Sequence, residues 1–263
     1  MADDFDLTRR FGGIARLYGN TALKKFKHSH VCIIGVGGVG SWVVEALARS
    51  GIGEISLIDM DHITESNINR QLPALTDTLG KSKIAVLKER AININPSCKI
   101  HLIDEFVSIE NLTTLINSNF NYIIDCIDDF RTKAALINYC KEQSINLLTT
   151  GGAGGKVDPL KIRLTDLARS EKDPLLAKTR SHLRQKYNYP RNVKRNFKIS
   201  CVWSDEQAFY PTEAGEVTLQ RPGNTNTHSL NCGGLGSSTM VTATYGFIAV
   251  SHVLKQLAAA SDD

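Results

Sequence analysis

The sequence predicts an α/β fold with a doubly wound, mainly parallel sheet, helices on both faces and a C-terminal α+β extension. Three observations lead to this prediction. Over roughly the first 150 residues, short apolar runs alternate with stretches long enough to form helices, as in strand–helix–strand units. A glycine-rich turn, GVGGVG at 35–40, lies between the first apolar run and the first helix. After residue 150 the alternation loosens, which marks the extension.

The predicted elements of the first part follow in order along the chain. The strands are short apolar runs, at 31–34, 54–58, 99–103, 121–125 and 145–149. The helices lie between these strands, at 39–50, 81–93, 108–118 and 130–142. Strands joined by crossover helices run parallel, and ligands of such Rossmann-like sheets bind at the carboxyl ends of the strands.

Less regular segments flank this core. Residues 6–28 predict helices that are broken at Gly12, Gly13 and Gly19. Beyond residue 150, a glycine cluster leads into the run 161–167 and a basic, helix-like stretch, and further strands are predicted at 197–203 and 215–221. We expect a single domain over 1–263, with a nucleotide-binding core at about 28–157 and the extension at about 158–258.

Composition is typical of a globular protein in a reducing compartment. The chain has 263 residues, of which 42% are apolar and 22% charged, and its net charge of +4 is a weak indication of an anionic partner. The six cysteines form no CxxC pair, so neither zinc nor a disulfide framework is expected. The N-terminus lacks an apolar leader, which favours a cytoplasmic protein.

An uncharged stretch runs from Gly233 to Leu254. Its length is about that of a membrane-spanning helix, but it is rich in Gly, Ser and Thr and its clearly apolar part is shorter. We therefore expect a buried helix, with a membrane segment as the minor alternative.

The glycine-rich turn predicts a nucleotide site. Gly35, Gly37, Gly38 and Gly40 allow backbone N–H groups to approach a phosphate at the positive end of the following helix. Asp59 ends the next strand, where its carboxylate can accept hydrogen bonds from ribose hydroxyls. The alternative is a purely structural turn. The turn alone does not separate ATP from a dinucleotide.

Polar residues beyond the second and fourth strands favour a triphosphate. The segment DMDHITESNINRQ, 59–71, supplies carboxylates, asparagines and Arg70, and Lys83 follows at the start of a helix. Arg and Lys stabilise negative charge on a reacting phosphate. In DCIDDF, 125–130, the Asp128 carboxylate can hold Mg²⁺. The alternatives are a solvated Lys83 and an Asp128 that caps the next helix.

Together these motifs resemble the ubiquitin-activating-enzyme-like adenylyltransferases, which activate a carboxylate as an acyl adenylate. The resemblance covers about residues 8–157. It implies ATP and Mg²⁺ as cofactors, and Arg70, Lys83 and Asp128 as the catalytic residues. The implied ATP-binding residues are Gly35, Gly37, Gly38, Gly40, Asp59, Asp61, Asn67, Arg70, Lys83 and Asp128.

Further stretches resemble the tRNA threonylcarbamoyladenosine dehydratases within that superfamily. They are RFGGIARLYG, TTGGAGGKVDP, SCVWSDE and LQRPG, and they extend the match over nearly the whole chain. This implies a homodimer that cyclises threonylcarbamoyladenosine in the anticodon loop of tRNA through an acyl adenylate. The sulfur-carrier adenylyltransferases usually have two CxxC pairs, which are missing here.

Two positions of the family pattern stay open. Where sulfur-carrier adenylyltransferases have a second arginine that acts across the dimer, this chain has Gly13, so Arg10 or Arg16 is the substitute. Cys232 is expected to be structural rather than a catalytic thiol. The alternative function is an adenylyltransferase-like module that engages a sulfur-carrier or sulfur-acceptor protein, or a cysteine desulfurase. A hydride-transfer enzyme ranks third.

A basic segment, KTRSHLRQKYNYPRNVKRNFK at 178–198, predicts contact with tRNA. It contains no acid, and Tyr187, Tyr189 and Phe197 are interleaved with its cations. Cations neutralise phosphates and aromatic rings stack on unpaired bases. The alternative is a solvated face. The candidate tRNA-binding residues are Arg184, Lys186, Lys194 and Arg195.

Overall fold

A computed structural model describes residues 6–221 and 234–260. The strands are β1 (His30–Ile34), β2 (Glu54–Ile58), β3 (Lys99–Ile103), β4 (Tyr122–Asp125), β5 (Leu147–Thr150), β6 (Ile162–Asp166), β7 (Ser200–Ser204), β8 (Tyr210–Pro211) and β9 (Val217–Thr218). The helices are α1 (Leu7–Tyr18), α2 (Asn20–His28), α3 (Gly40–Arg49), α4 (Lys83–Ile94), α5 (Leu112–Leu115), α6 (Phe130–Glu142), α7 (Pro174–Lys186) and α8 (Thr239–Ala259).

Seven strands form one sheet in the order β3-β2-β1-β4-β5-β7-β6. Strands β1 to β5 and β7 run parallel, and β6 pairs antiparallel with β7 at one edge. The predicted α/β fold with a mainly parallel sheet is confirmed. From β1 the chain builds the sheet outward through β2 and β3, and it then crosses to β4 on the other side. The neighbouring ends of β1 and β4 therefore form a switch point, where such sheets bind ligands.

Helices cover both faces of the sheet. One buried apolar cluster joins β1 and β2 to α2, α3, α4 and α8. A second cluster lies on the opposite face and includes residues of α5, α6 and α7. The central strands β1, β2, β4 and β5 are mostly apolar because both of their faces are covered, whereas the edge strands β3 and β6 are partly exposed.

The N-terminal helix differs from its prediction. Gly12 and Gly13 lie inside α1 and do not break it. The Asp6 carboxylate accepts a hydrogen bond from the Arg9 backbone N–H at 2.9 Å, and the buried Phe11 anchors the helix to the core. These tertiary and capping contacts outweigh the low helix propensity of glycine. The predicted break at Gly19 is correct.

The helix predicted at 108–118 is mostly wrong, because only Leu112–Leu115 is helical. The Asn111 side chain accepts a hydrogen bond from the Ser108 backbone N–H at 2.8 Å. The Asn117 side chain accepts one from the Asn119 N–H at 3.0 Å. Such local bonds compete with the helical pattern and shorten the helix to one turn.

The extension completes the sheet. Strand β6 forms within the run 161–167. Strand β7 overlaps the predicted run 197–203 and continues to Ser204, whereas only Val217–Thr218 of 215–221 forms a strand. The uncharged C-terminal stretch contributes most of α8, which packs on α3 and has the fully buried Tyr245 in its second turn. Over residues 6–221 and 234–260, no helix has the length and apolarity needed to cross a membrane.

Candidate nucleotide-binding site

A cleft of about 1090 Å³ opens at the carboxyl ends of the central strands. Ile34, Ile58, Cys126 and Thr150, at or next to the ends of β1, β2, β4 and β5, form its floor. Sites for single small ligands range from about 300 to 1,000 Å³. The cleft therefore has room for a nucleotide and part of a second substrate.

The glycine-rich turn forms one wall of this cleft. Gly35 has a φ of +81°, and a Cβ there would lie 3.1 Å from the Cys126 carbonyl oxygen. At Gly40 a Cβ would lie 1.9 Å from the Gly35 oxygen, which excludes any side chain. Gly37 and Gly38 also line the cleft beside the start of α3. The turn therefore brings backbone and the positive end of a helix to the cleft.

The Asp59 carboxylate joins the turn to the next loop. Its Oδ2 accepts a hydrogen bond from the Val36 N–H at 2.7 Å, and its Oδ1 accepts one from the Asp61 N–H at 2.8 Å. Burial raises the pKa of Asp59, although these two hydrogen bonds act in the opposite direction. Since each carboxylate oxygen has two lone pairs, Asp59 can still accept a hydrogen bond from a ribose hydroxyl.

Lys83 reaches the cleft from the first residue of α4. Its Nζ lies 2.7 Å from Oδ2 of Asp61, and both residues line the cleft. The side chain of Lys83 is 6% exposed, so the alternative of a solvated helix residue is wrong. The Asp61 side chain is 53% exposed, which leaves its carboxylate able to move aside for a phosphate.

Asn67 and Arg70 lie on the loop between β2 and α4, and both line the cleft. The Asn67 Oδ1 accepts a hydrogen bond from the Thr64 N–H at 3.1 Å and so caps a short helical turn. The Arg70 Nη1 donates to the Ser66 carbonyl at 2.6 Å and to the Asn69 Oδ1 at 2.9 Å. Its Nε and Nη2 make no hydrogen bond to a residue that the structure describes, so they are available to a ligand.

Asp128 and Asp129 have separate roles. The Asp129 side chain caps α6 by accepting a hydrogen bond from the Thr132 N–H at 2.8 Å. Asp128 lines the cleft and is exposed. The alternative of Asp128 as a helix cap is therefore wrong. Its carboxylate fits a magnesium ion, which prefers oxygen ligands and keeps several waters and phosphate oxygens.

A buried ion pair, which the sequence reading missed, lies behind Asp128. The Lys133 Nζ lies 2.7 Å from Oδ2 of Asp125, and both side chains are 0% exposed. Thr149 donates a hydrogen bond to the same oxygen at 2.7 Å. The other Asp125 oxygen accepts one from the Ile127 N–H at 3.0 Å and so holds the turn that carries Asp128. The signal was a lysine within the apolar run of α6.

Gln71 is a second residue that sequence reasoning missed. It is buried, lines the cleft, and its Nε2 would be 3.7 Å from a Cβ on Gly37. Its Oε1 is buried and has no hydrogen-bond partner among the described residues. A buried acceptor without a partner is costly, so a ligand donor in this cleft would stabilise it.

The model of the ThiF family matches residues 12–262. The chain belongs to the ThiF family. It is 50% identical over 258 residues to the tRNA threonylcarbamoyladenosine dehydratase of Haemophilus influenzae, covering 98% of this chain and 96% of that one. It is 47% identical over 252 residues to the Escherichia coli dehydratase, covering 95% and 94%. A structure of the E. coli dehydratase in complex with ATP superimposes with a TM-score of 0.83 at 45% identity, covering 95% of this chain and 94% of that one.

The structure contradicts part of the prediction made for the basic segment, 178–198. Tyr189 and Phe197 are 4% and 0% exposed and pack on each other with ring centroids 5.0 Å apart, so they cannot stack on bases. Arg184 is half-buried, with its guanidinium 5.2 Å from the Phe197 ring and its Nε donating to the Pro190 carbonyl. The remaining candidates, Lys186, Lys194 and Arg195, are exposed.

No cysteine that the structure describes in this ThiF-family chain suits nucleophilic catalysis. Cys126 lines the cleft, but burial raises its pKa to about 12. A thiol with that pKa stays protonated near neutral pH. Cys32 and Cys140 are buried in the core. Cys232 lies outside the described residues.

Other candidate groups lie away from the cleft. Among described residues, only His30, Glu54 and His101 are grouped closely enough to share a metal ion. His30 and Glu54 are the first residues of β1 and β2, and His101 is the middle residue of β3, whereas the nucleotide cleft is at the carboxyl ends of the strands. Arg10 donates hydrogen bonds to the carbonyls of residues 93 and 94 at the end of α4, and Arg16 is exposed.

Proposed function

We propose that this chain is an ATP-dependent tRNA threonylcarbamoyladenosine dehydratase. It cyclises threonylcarbamoyladenosine in the anticodon loop of tRNA through an acyl adenylate. The observation that carries the proposal is the convergence of the glycine-rich turn, Lys83 and Asp128 on one cleft. Similarity to dehydratases over 98% of the chain supports it.

The first step is adenylation of the substrate carboxylate. A carboxylate oxygen attacks the α-phosphorus of ATP, the bond to the bridging oxygen breaks, and pyrophosphate leaves with the bonding electrons. Lys83 and Arg70 stabilise the charge that develops on the phosphates. Asp59 holds the ribose, and the N–H groups at Gly37 and Gly38 approach the phosphates. Asp61 and Asn67 shape the loop that presents Arg70 and Lys83.

Asp128 is the residue that would hold a magnesium ion in this cleft. Its carboxylate is exposed to the cleft and is not used as the helix cap. When bound, magnesium neutralises phosphate charge. The turn that carries Asp128 is fixed from behind by the buried pair of Lys133 and Asp125.

The second step closes the ring. A nucleophilic atom of the carbamoyl group attacks the activated carbonyl carbon, AMP leaves with the bonding electrons, and the carbamoyl group loses a proton. The net change is the loss of one water from the substrate. Attack within one molecule needs no enzyme nucleophile, in keeping with the protonated thiol of Cys126.

We further propose that the chain works as one adenylyltransferase domain in a cytoplasmic homodimer and uses no zinc. Exposed apolar side chains support a dimer: Ile68, Met240 and Phe247 are 48%, 62% and 47% exposed. Arg10 or Arg16 is then the residue to test for action across the dimer. The exposed Lys186, Lys194 and Arg195 contact tRNA phosphates, and Arg184 supports their segment from within.

The competing function is a module that engages a sulfur-carrier or sulfur-acceptor protein, or a cysteine desulfurase. The sequence similarity that supports this function covers a smaller part of the chain. The adenylyltransferase and sulfurtransferase MOCS3 of Drosophila willistoni is 31% identical over 123 residues, which cover 47% of this chain and 27% of that one.

The decisive experiment incubates the protein with ATP, Mg²⁺ and tRNA that contains threonylcarbamoyladenosine. Mass spectrometry of the digested nucleosides should show the loss of one water, with AMP and pyrophosphate formed in equal amounts. Unmodified tRNA and NAD in place of ATP are the controls, and neither should react. Adenylation that requires a sulfur-carrier protein and ignores modified tRNA would overturn the proposal.

A further inference from the structure

A group of cations surrounds one aromatic ring at the edge of the cleft. Phe130, the first residue of α6, lines the cleft and is partly exposed. The Arg131 guanidinium carbon lies 4.8 Å from the centre of its ring, and the Lys178 Nζ lies 5.8 Å from it. His182 contacts the ring edge-on, with centroids 5.7 Å apart. We call these four residues the α6–α7 rim.

The rim connects the cleft to the basic segment. Lys178, His182 and Lys186 are four residues apart on α7, so they lie along one face of the helix. Lys178 lines the cleft, whereas Lys186 ends the helix next to the loop with Lys194 and Arg195. Helix α7 contains no Asp or Glu, so a polyanion can follow this face without repulsion.

The rim also supplies a partly exposed ring in the cleft lining, which the basic segment does not. Tyr189 and Phe197 are buried and unable to stack on a base, and Tyr187 is partly exposed but does not line the cleft. Phe130 is two residues from Asp128, the proposed magnesium ligand, and both line the cleft. An accessible ring flanked by cations is typical of sites for single-stranded nucleic acid, in which bases stack and phosphates pair with Lys or Arg.

We propose that the α6–α7 rim is the surface over which an RNA loop enters the cleft. The Phe130 ring stacks on a base that neighbours the reacting nucleotide, and Arg131 and Lys178 bind the adjoining phosphates. This inference rests on the proposed function and adds where the loop is held beside the reacting carboxylate. An acidic protein segment would match the cations, but it would not need the flat face of the ring.

Three variants test the rim. Phe130→Leu retains an apolar contact with His182 but removes the face on which a base stacks. Arg131→Glu and Lys178→Glu reverse one charge each. The matched control is Lys255→Glu, an exposed residue on α8 outside the cleft lining. Binding of a fluorescent anticodon stem-loop and the kcat/KM for modified tRNA are measured, together with ATP affinity.

Phe130→Leu should weaken stem-loop binding by about 5- to 150-fold, the range for one lost base stack. The charge reversals should weaken binding and flatten its salt slope by about one unit each, since fewer counterions are released. ATP affinity and the Lys255→Glu control should match the wild-type protein. In all three rim variants kcat/KM should fall with the binding affinity.

The outcomes separate this inference from the proposed function. If the wild-type protein modifies tRNA and all three folded variants do so equally well, the rim inference fails and the function stands. If Lys178→Glu and Arg131→Glu weaken ATP binding as much as tRNA binding, the rim serves the nucleotide and the inference also fails. If the variants lose only the binding of an acidic carrier protein, the RNA assignment is overturned. If the wild-type protein does not modify tRNA, the proposed function itself is wrong.

Discussion

Lys83 is the residue on which the proposed adenylation depends most directly. It is buried beside the cleft, with its Nζ 2.7 Å from Asp61. Lys83→Ala should lower the rate of tRNA-dependent AMP formation by about 100-fold or more, because a cation aimed at the reacting phosphates is lost. Steady-state kinetics with modified tRNA measure the effect.

Lys81→Ala provides the control, since Lys81 is exposed two residues earlier. It should retain wild-type kinetics. Lys83→Ala should change thermal stability little, because the Asp61 carboxylate that loses its ion-pair partner is 53% exposed. A Lys83→Ala enzyme with wild-type turnover would show that the lysine is only structural.

At this scale, the sequence predicted the residues that project into the cleft better than the residues that support them. Asp59, Lys83 and Asp128 follow strand ends or start a helix, so their positions follow from the order of elements. The ion pair of Lys133 and the burial of Gln71 depend on which elements become neighbours, which no local pattern specifies. The basic segment misled for a related reason, because the alternation of aromatic and basic residues does not reveal which rings are buried.

Helix α1 offers a test at the scale of one element. Gly13 is in a helix interior, and a Cβ there would meet nothing within 4 Å. Gly13→Ala should therefore raise the free energy of unfolding by about 0.5–1 kcal/mol, because alanine loses less backbone entropy than glycine. Denaturant unfolding of the purified variant measures this change.

Gly40→Ala is the opposite case. Its Cβ would lie 1.9 Å from the Gly35 carbonyl oxygen. The turn would have to open, and the free energy of unfolding should fall by about 1–3 kcal/mol. Two glycines with the same substitution should thus shift stability in opposite directions. A destabilised Gly13→Ala variant would mean that α1 needs the glycine for a close contact.

Glu45 joins helices α3 and α4. Its Oε2 accepts from Arg90 Nε and its Oε1 from Arg49 Nε, both at 2.7 Å. Burial opposes ionisation, but the two arginines outweigh it and lower the pKa of Glu45. A carboxyl group with a lowered pKa stabilises the fold above its unfolded pKa, and that contribution is lost as the pH falls through its folded pKa.

Glu45→Gln should accordingly lower the free energy of unfolding by about 1–2 kcal/mol at pH 7, a moderate value because both arginines are partly exposed. The difference from the wild-type protein should shrink below about pH 4.5, the ordinary value for Glu. Urea unfolding at a series of pH values tests this. An equal difference at pH 3 and pH 7 would show that shape, not charge, explains the loss.

How well a helix or strand was predicted depended on whether its local sequence or its tertiary contacts determine it. Strands β2 and β3 were predicted at their observed bounds because apolar runs between turn residues leave little choice. The segment at 108–118 failed because asparagine side chains form local hydrogen bonds that an apolar pattern does not show. Predicting that α1 continues through two glycines would have required knowing that Phe11 is buried in the core.

On the scale of the whole molecule, nucleotide and RNA surfaces should be separable. Reversing Lys186, Lys194 and Arg195 together removes exposed cations that lie outside the cleft lining. Binding to tRNA should weaken and its salt slope should flatten by about three units, while ATP affinity stays at the wild-type value. Anisotropy titrations at several salt concentrations measure both effects. Unchanged tRNA affinity at all of them would identify the basic segment as a solvated face.

The pair formed by Lys133 and Asp125 has a consequence for anyone who redesigns this protein. A fully buried ion pair seldom stabilises a fold more than apolar residues of the same volume do, so a leucine and methionine replacement is a reasonable route to a more heat-resistant chain. The same replacement would remove the acceptor that fixes the Ile127 N–H and with it the turn before Asp128. Replacing this pair should therefore raise thermal stability and lower catalytic activity.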